Sequence, residues 1–389
     1  MILKKLSIQN YRIYRDISID FASGDKNITV IIGNHSVGKN TLLNAINWCL
    51  YGVELYKNPY DLNLPIFNLK TAHLADIGHE IEVSVEMVFE DDGELLTFHR
   101  IQGFKKESER LNQLYNNIEV IKQVGNDVII EKDPDHVIRK KIPKEMLNLF
   151  IIKDHMFYEF FRGEVYKKFI GFSQLNILKD SIKHMKVMKR KYEYIYSLQN
   201  DEESEIIRKI EFCDRSIEAA NEIYNNLKED NIKKTEALVN EKLSDFYDIN
   251  IDIAKGDLKV FLKGSSYGEI SANHLSYGEI YLISLAFIIS IHSIHPIQFP
   301  IFLESFHVLF DRYLHDGSRF RDLYSELILD LSSQKQTVLI LTSLDYLDFG
   351  NMLDEAIGRT YMIDFNCDDN GEESIIISDE EIIRKRHFF

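Results

Sequence analysis

ITVIIGNHSVGKNTLLNAINWCLYG, residues Ile28 to Gly52, runs from an apolar strand through a glycine-containing turn into a helix. Ile28, Val30, Ile31 and Ile32 supply the strand; Gly33, Asn34 and Gly38 shape the turn; Thr41, Leu42 and Leu43 lead the helix. Gly33 to Lys39 matches G-x-x-x-x-G-K, and strand, loop and helix are the context this pattern needs before it signifies a phosphate-binding P-loop. In such a loop, backbone N–H groups curl around phosphate oxygens. The lysine adds a point charge, and the helix N-terminus adds its positive dipole end. Position 40 departs from the pattern: Asn40 stands where a Ser or Thr hydroxyl would hold magnesium, with Thr41 one place late. A chance turn ahead of a buried helix is the alternative, and the flanking residues argue against it. The stretch implies nucleotide binding; hydrolysis does not follow from it.

Outward from this stretch, the chain has 389 residues, enough for two or three domains or one large domain with an insertion. With 45% hydrophobic and 28% charged residues it reads as soluble and globular. No run of about 18 uncharged apolar residues occurs, so no membrane span is expected. MILKKLSIQNYR begins like a strand and not like a signal peptide. Cys49, Cys213 and Cys367 lie far apart without a CxxC pair, which points to neither a disulfide framework nor a zinc site and fits a cytoplasmic location. A net charge of −16 argues against indiscriminate nucleic-acid binding but leaves room for a local basic groove.

Ile2 to Gln9 alternates as a strand, and Ile17, Ile19 and Phe21 suggest another. Val53 to Gly78 reads as an irregular surface excursion. Ile81 to Val88, Leu95 to Ile101, Ile118 to Ile121 and Val128 to Ile130 give short strands of an antiparallel subsheet. From about Gln174 to Tyr247 there is no Gly or Pro. Apolar lines through Leu178, Ile182 and Met185, and through Ile206, Ile210 and Ile217, predict two antiparallel helices. They turn near Asp201-Glu202-Glu203 or near Glu229-Asp230-Asn231; a helical subdomain packed on the body is the other reading. Strand signals return at Ile249 to Ile253 and Leu258 to Leu262. There follow GSSYGEISANHLSYGE (Gly264 to Glu279), an apolar helix from Ile280 to Ile294, and a buried strand, Phe299 to Leu303. A helix near Phe320 to Leu331, strands at Thr337 to Leu341 and Thr360 to Phe365, and a hairpin strand with a tail complete the chain. Strands alternating with helices argue an α/β core split by the helical insertion.

At this point the pattern resembles the ABC-type ATPase head of the SMC/RecF/SbcC superfamily. The likeness rests on an N-terminal P-loop half, a coiled-coil-like insertion, and LSYGE followed by an apolar strand ending in an acid. LSYGE follows the P-loop by roughly 240 residues, and Leu275, Ser276, Gly278 and Glu279 match the family signature L-S-x-G-E. Asn10-Tyr11-Arg12 resembles the family's N-[FY]-R, in which the arginine approaches the nucleotide. The resemblance implies an α/β P-loop NTPase head with an antiparallel β-subdomain and a short helical or coiled-coil insertion. Its parts would be residues 1–172 (P-loop and β-subdomain), 173–247 (insertion) and 248–389 (signature, Walker-B-like strand and tail). It implies ATP and magnesium as cofactors, with ATP bound between two heads, the signature of one head capping phosphates held by the other. The expected assembly is a homodimer or a head-to-head hetero-assembly, with a partner effector subunit and double-stranded DNA as further partners. The nearest flavour is that of ATPases in bacterial anti-phage defence systems of the Lamassu, Septu or DNA-phosphorothioation kind; DNA repair is the other setting.

The departures bear on chemistry. Glu304 and Asp311 lie seven positions apart, as the family's Walker-B Asp and D-loop Asp do. This alignment makes Glu304 the magnesium-associated acid, with Asn40 as the other metal-side residue, and puts Ser305 where the catalytic Glu belongs. A Ser is no strong general base. FIIKDHM, Phe150 to Met156, lies in the Q-loop region without a glutamine, and Thr342-Ser343-Leu344-Asp345 lacks the switch histidine. His35, His155, His274 and His307 fall near these loops and read as surface or packed residues. Lys179, Lys183, Lys186 and Arg190 fall on one face of the first predicted helix. They are either a phosphate-contacting stripe or a solvated face. Three functions stay open: an ATP-dependent, DNA-sensing head controlling an effector; a pseudo-ATPase scaffold; and an unrelated P-loop transferase. Magnesium and phosphate ligands must converge, so the strand before Gly33 and the strand ending at Leu303 are expected to be neighbours.

Overall fold

In chain order the elements are β1 (Ile2–Tyr11), β2 (Tyr14–Asp20), β3 (Ile28–Gly33), α1 (Lys39–Tyr51), α2 (Leu69–Leu74), β4 (Glu80–Asp91), β5 (Glu94–Glu107), β6 (Arg110–Val124), β7 (Asp127–Ile130), α3 (Pro134–Lys141), α4 (Leu147–Phe150) and β8 (Ile151–Ile152). They continue as α5 (Gln174–Leu198), α6 (Ser204–Leu243), β9 (Ile249–Asp252), β10 (Lys259–Leu262) and α7 (Tyr277–Ile294). The last are β11 (Ile301–Glu304), α8 (Gly317–Gln334), β12 (Thr337–Leu341), α9 (Ser343–Leu353), β13 (Ile357–Cys367) and β14 (Glu373–Asp379). The computed structural model describes residues 1–34, 37–54, 65–108, 110–144, 147–153, 174–198, 204–244, 249–252, 259–262, 275–294, 298–304, 317–367 and 373–379. The chain forms two compact units, Met1–Asp154 with Ile297–Phe389, and His155–Pro296.

The first unit holds two sheets of opposite character. Alternating apolar residues place β1, β2 and β4 to β7 in an antiparallel sheet, order β2-β1-β4-β5-β6-β7. β1 buries Leu6 and Ile8, and β4 buries Val83, Val85, Met87 and Phe89. The second sheet runs β14-β13-β3-β12-β11-β8, parallel from β13 to β8, with β14 antiparallel at its edge. Its strands β3 and β12 are buried at every position, the mark of strands covered on both faces. Gln336, at the entry to β12, joins the sheets. Its amide accepts from Leu3 N at 2.8 Å and donates to Leu3 O (2.8 Å) and Ala22 O (2.7 Å).

One expectation is overturned. β3 and β11 are not neighbours, because β12 lies between them, pairing Leu339 with Val30 on one side and with Leu303 on the other. Chain order says nothing of lateral order in a parallel sheet, and TVLIL, buried at every position, takes the interior position. The separation is then two strand spacings, about 9.6 Å, which long side chains still bridge.

In the second unit α5 and α6 run antiparallel. Lys189 on α5 pairs with Asp214 on α6 at 2.6 Å, and the Lys209 ammonium lies 5.9 Å from the Tyr192 ring. α6 is continuous through Glu229-Asp230-Asn231, so the helices separate between Leu198 and Ser204, across 199–203, which lie outside the described residues. The Asn240 side chain ties α6 to β9, donating to Ile251 O (2.8 Å) and accepting from Ile251 N (2.7 Å). α7 lies against α6 and is apolar all round, with Leu282, Ile283, Leu285, Ala286 and Phe287 buried. Among the described residues, no helix is long and apolar enough to cross a membrane.

Candidate phosphate-binding site

Parallel pairing brings four strand ends to one edge of the second sheet: β3 ending at Gly33, β12 leading to Thr342, β11 ending at Glu304, and β8 leading to Lys153. Ligands of open α/β sheets gather at such carboxyl ends. Gly38 stands at the N-cap of α1 with φ +107°, and a Cβ there would come within 2.2 Å of Ile13 Cδ1, so the position requires glycine. Tyr14 donates its hydroxyl to Gly38 O at 3.0 Å, fixing the loop from below. At the other end of α1 the buried Arg100 donates to Cys49 O at 2.9 Å and to Leu50 O at 3.4 Å. It also lies 6.0 Å from the Trp48 ring. A cation on the last carbonyls complements the helix dipole and holds the P-loop helix in place. Burial pushes the Cys49 thiol up to about 12, so it packs as a neutral group.

Lys39 is buried and folds back onto its own loop, donating to Gly33 O and to Asn34 O, the latter at 2.9 Å. Burial lowers its pKa, and the nearby carboxylates of Glu304 and Asp345 oppose that shift. Asp345 itself is fixed by a reciprocal cap on α9. It accepts from Thr342 N at 2.9 Å, while its own N–H reaches Thr342 Oγ1 at 3.3 Å. Next to it Ser343 Oγ donates to Asn34 Oδ1 at 3.2 Å, so the end of β12 touches the P-loop directly.

On the metal side the arrangement changes. Lys153, its side chain only 4% exposed, donates to Asn40 Oδ1 at 2.8 Å and lies 3.9 Å from Glu304 Oε2. Asn40 and Glu304 thus converge around an ammonium. An ion bound by Asn40 at the usual ~2.1 Å could lie no farther than about 5 Å from that ammonium. A dication there would have to share the Asn40 and Glu304 oxygens with a like charge that already occupies them. These residues do not fit a magnesium ion held between Asn40 and Glu304.

The remaining expected residues lie as follows. Thr41 sits in the first turn of α1, half-exposed. Arg12, in the left-handed region at φ 53°, is held by Glu54, with Nε at 3.0 Å from Oε1. Tyr11 donates to the same oxygen at 2.7 Å. In the second unit, Ser276 and Glu279 form a capping box at the start of α7. Ser276 N donates to Glu279 Oε2 (2.7 Å) and Glu279 N to Ser276 Oγ (3.3 Å). The Ser276 hydroxyl therefore has a local structural task worth about 1 kcal/mol, besides any role in the signature. Leu275 and Gly278 flank it, both half-exposed. Lys179, Lys183, Lys186 and Arg190 are all exposed on α5, whereas Lys189 is engaged by Asp214 and Glu193. Ser305, Asp311, His35, His155, His274 and His307 lie outside the described residues. Lys153, Glu54 and Asp345 were missed as site residues; the lysine directly after the apolar Phe150-Ile151-Ile152 was the one signal available.

The fold is the SMC head-like α/β fold of a P-loop ABC-ATPase head, with an antiparallel sheet and a parallel sheet. The chain belongs to the AAA domain family AAA_23, which matches residues 5–251. It is 27% identical over 257 residues to a DNA double-strand break repair Rad50 ATPase of Methanococcus maripaludis, covering 62% of this chain and 23% of the relative. A Rad50 ATPase of Thermoplasma volcanium is 25% identical over 170 residues, covering 38% and 18%. The chain thus spans less than a quarter of the length of these curated relatives. Among solved structures, the SMC head domain from Thermotoga maritima matches with a TM-score of 0.50 at 14% identity, covering 97% of this chain and 99% of that one. An Smc head bound to the C-terminal winged-helix domain of ScpA matches at 0.58 and 14%, covering 98% and 100%. At that identity the likeness is one of fold.

Proposed function

We propose that the chain is a nucleotide-responsive head that binds ATP through Gly33, Asn34, Gly38, Lys39 and Thr41 and hydrolyses it slowly or not at all. The observation that carries this reading is the convergence of Lys39, Asn40, Glu304 and Asp345 at the carboxyl ends of adjoining parallel strands. Two heads close over the nucleotide, with Leu275, Ser276, Gly278 and Glu279 of one facing the phosphates of the other and Arg12 and Asp311 at the margins. Closure then signals to a partner effector in DNA repair or anti-phage defence. The Rad50 names of the relatives favour a DNA-linked setting, and the family resemblance favours the partner. The second reading, a scaffold without turnover, is favoured by Lys153 on the metal side and by Ser305 at the position of the base.

Light scattering with and without ATP tests the head-to-head reading. Wild type is expected to dimerise with ATP and Lys39→Ala to remain monomeric; equal masses in both would overturn it. The exposed stripe Lys179, Lys183, Lys186 and Arg190 is proposed to meet DNA phosphates. Exchanging it for Glu should flatten the salt dependence of binding by up to about 0.9 per lost contact, and an unchanged slope would leave it a solvated face.

A further inference from the structure

We propose that Lys153 is the resident cation of this site, and that the chain binds the polyphosphate of a nucleotide without a divalent metal ion. The inference rests on the nucleotide reading above and goes beyond it, since it names what neutralises the phosphates. In a P-loop site the ion next to the residue after the lysine bridges phosphate oxygens whose charge must be offset. Here that residue is Asn40, and the group beside its amide oxygen, at 2.8 Å, is an ammonium. Glu304, at the end of β11, lies 3.9 Å from the same ammonium and so anchors Lys153 where an acid would elsewhere anchor an ion.

The placement is built and not incidental. Lys153 follows β8, whose pairing Ile151↔Phe302 and Ile152↔Leu303 sets it level with the end of β11. Its side chain is buried, which a lysine accepts when its head is paired. Lys39, on the loop side, has the same Glu304 carboxylate as a neighbour, so two ammoniums and the N-terminus of α1 border the same strand ends. An ammonium is a point charge that suits phosphate, and three N–H donors let it serve a protein oxygen and a ligand oxygen together. It lacks the octahedral demand that Asn40 and Glu304 would have to meet for magnesium.

Equilibrium binding of a fluorescent ATP analogue to the full chain, in EDTA and in magnesium, tests this with wild type, Lys153→Met, Lys153→Arg and Lys39→Ala. Wild type is expected to bind equally in the two conditions, within about twofold, and Lys153→Met to lose about tenfold or more in EDTA, the scale of a lost charged hydrogen bond. Magnesium should restore part of that loss, because Asn40 and Glu304 then face no competing cation. Lys153→Arg keeps the charge and should bind in EDTA, which separates a lost ligand from a lost fold. Wild-type affinity that falls about tenfold or more in EDTA overturns the inference and leaves the nucleotide reading standing. Lys153→Met binding as wild type does in EDTA also overturns it. No binding by wild type in either condition removes the nucleotide reading, and this inference with it.

Discussion

The two sides of the candidate site are built differently. On the phosphate side the loop keeps what the chemistry asks for: Gly38 in a conformation closed to other residues, Lys39 within reach, and an α1 N-terminus fixed by Tyr14 below and Arg100 at its far end. On the other side stand Asn40 and Glu304, with Lys153 between them. A P-loop site is therefore not one unit that survives or decays whole. Binding phosphate depends on backbone shape and one charge, whereas turnover depends on an ion held at close geometry, and the second can be exchanged while the first is kept.

The sharpest way to break the phosphate side is Gly38→Ala. At φ +107° a Cβ is strained, and Ile13 Cδ1, 2.2 Å from it, would have to swing aside. A loss of about 2 kcal/mol in unfolding free energy is expected, with weakened nucleotide binding. Denaturant titration beside a binding isotherm checks both, and an unaltered midpoint would show that the loop tolerates another shape. On the metal side Glu304→Gln should act in the opposite way. It keeps the shape and removes the carboxylate that faces Lys153 and Lys39, so nucleotide affinity should change by no more than about threefold, under 1 kcal/mol. An affinity that collapses with Glu304→Gln only when magnesium is present would place a metal ion there and erase the contrast between the sides.

Much of the phosphate side was legible in the sequence because it is local. Strand, glycines, lysine and helix follow one another within Ile28 to Gly52, and each residue's task depends on its neighbours in the chain. β12 was read at its observed ends, Thr337 and Leu341, because five apolar or β-branched residues between polar flanks leave little choice. The metal side was legible only in part. Asn40 and Glu304 could be aligned by pattern, but Lys153 meets Asn40 across 113 positions of sequence, through the register of β8 on β11. Such a meeting is set by lateral sheet order, the very feature on which β3 and β11 were misjudged. Gln336 shows the same limit: an unremarkable amide in the sequence becomes the joint between two sheets only when both are in place.

Phosphate binding and turnover are proposed to be uncoupled in this head, and phosphate release by the wild-type chain tests that most directly. The assay pairs wild type with Lys39→Ala, with ATP, magnesium, DNA and any co-purifying partner present. The expected result is release by wild type no faster than by Lys39→Ala, while wild type alone binds nucleotide. Release at about 1 per second or faster, within the ordinary range of enzymes, and abolished by Lys39→Ala, would contradict it.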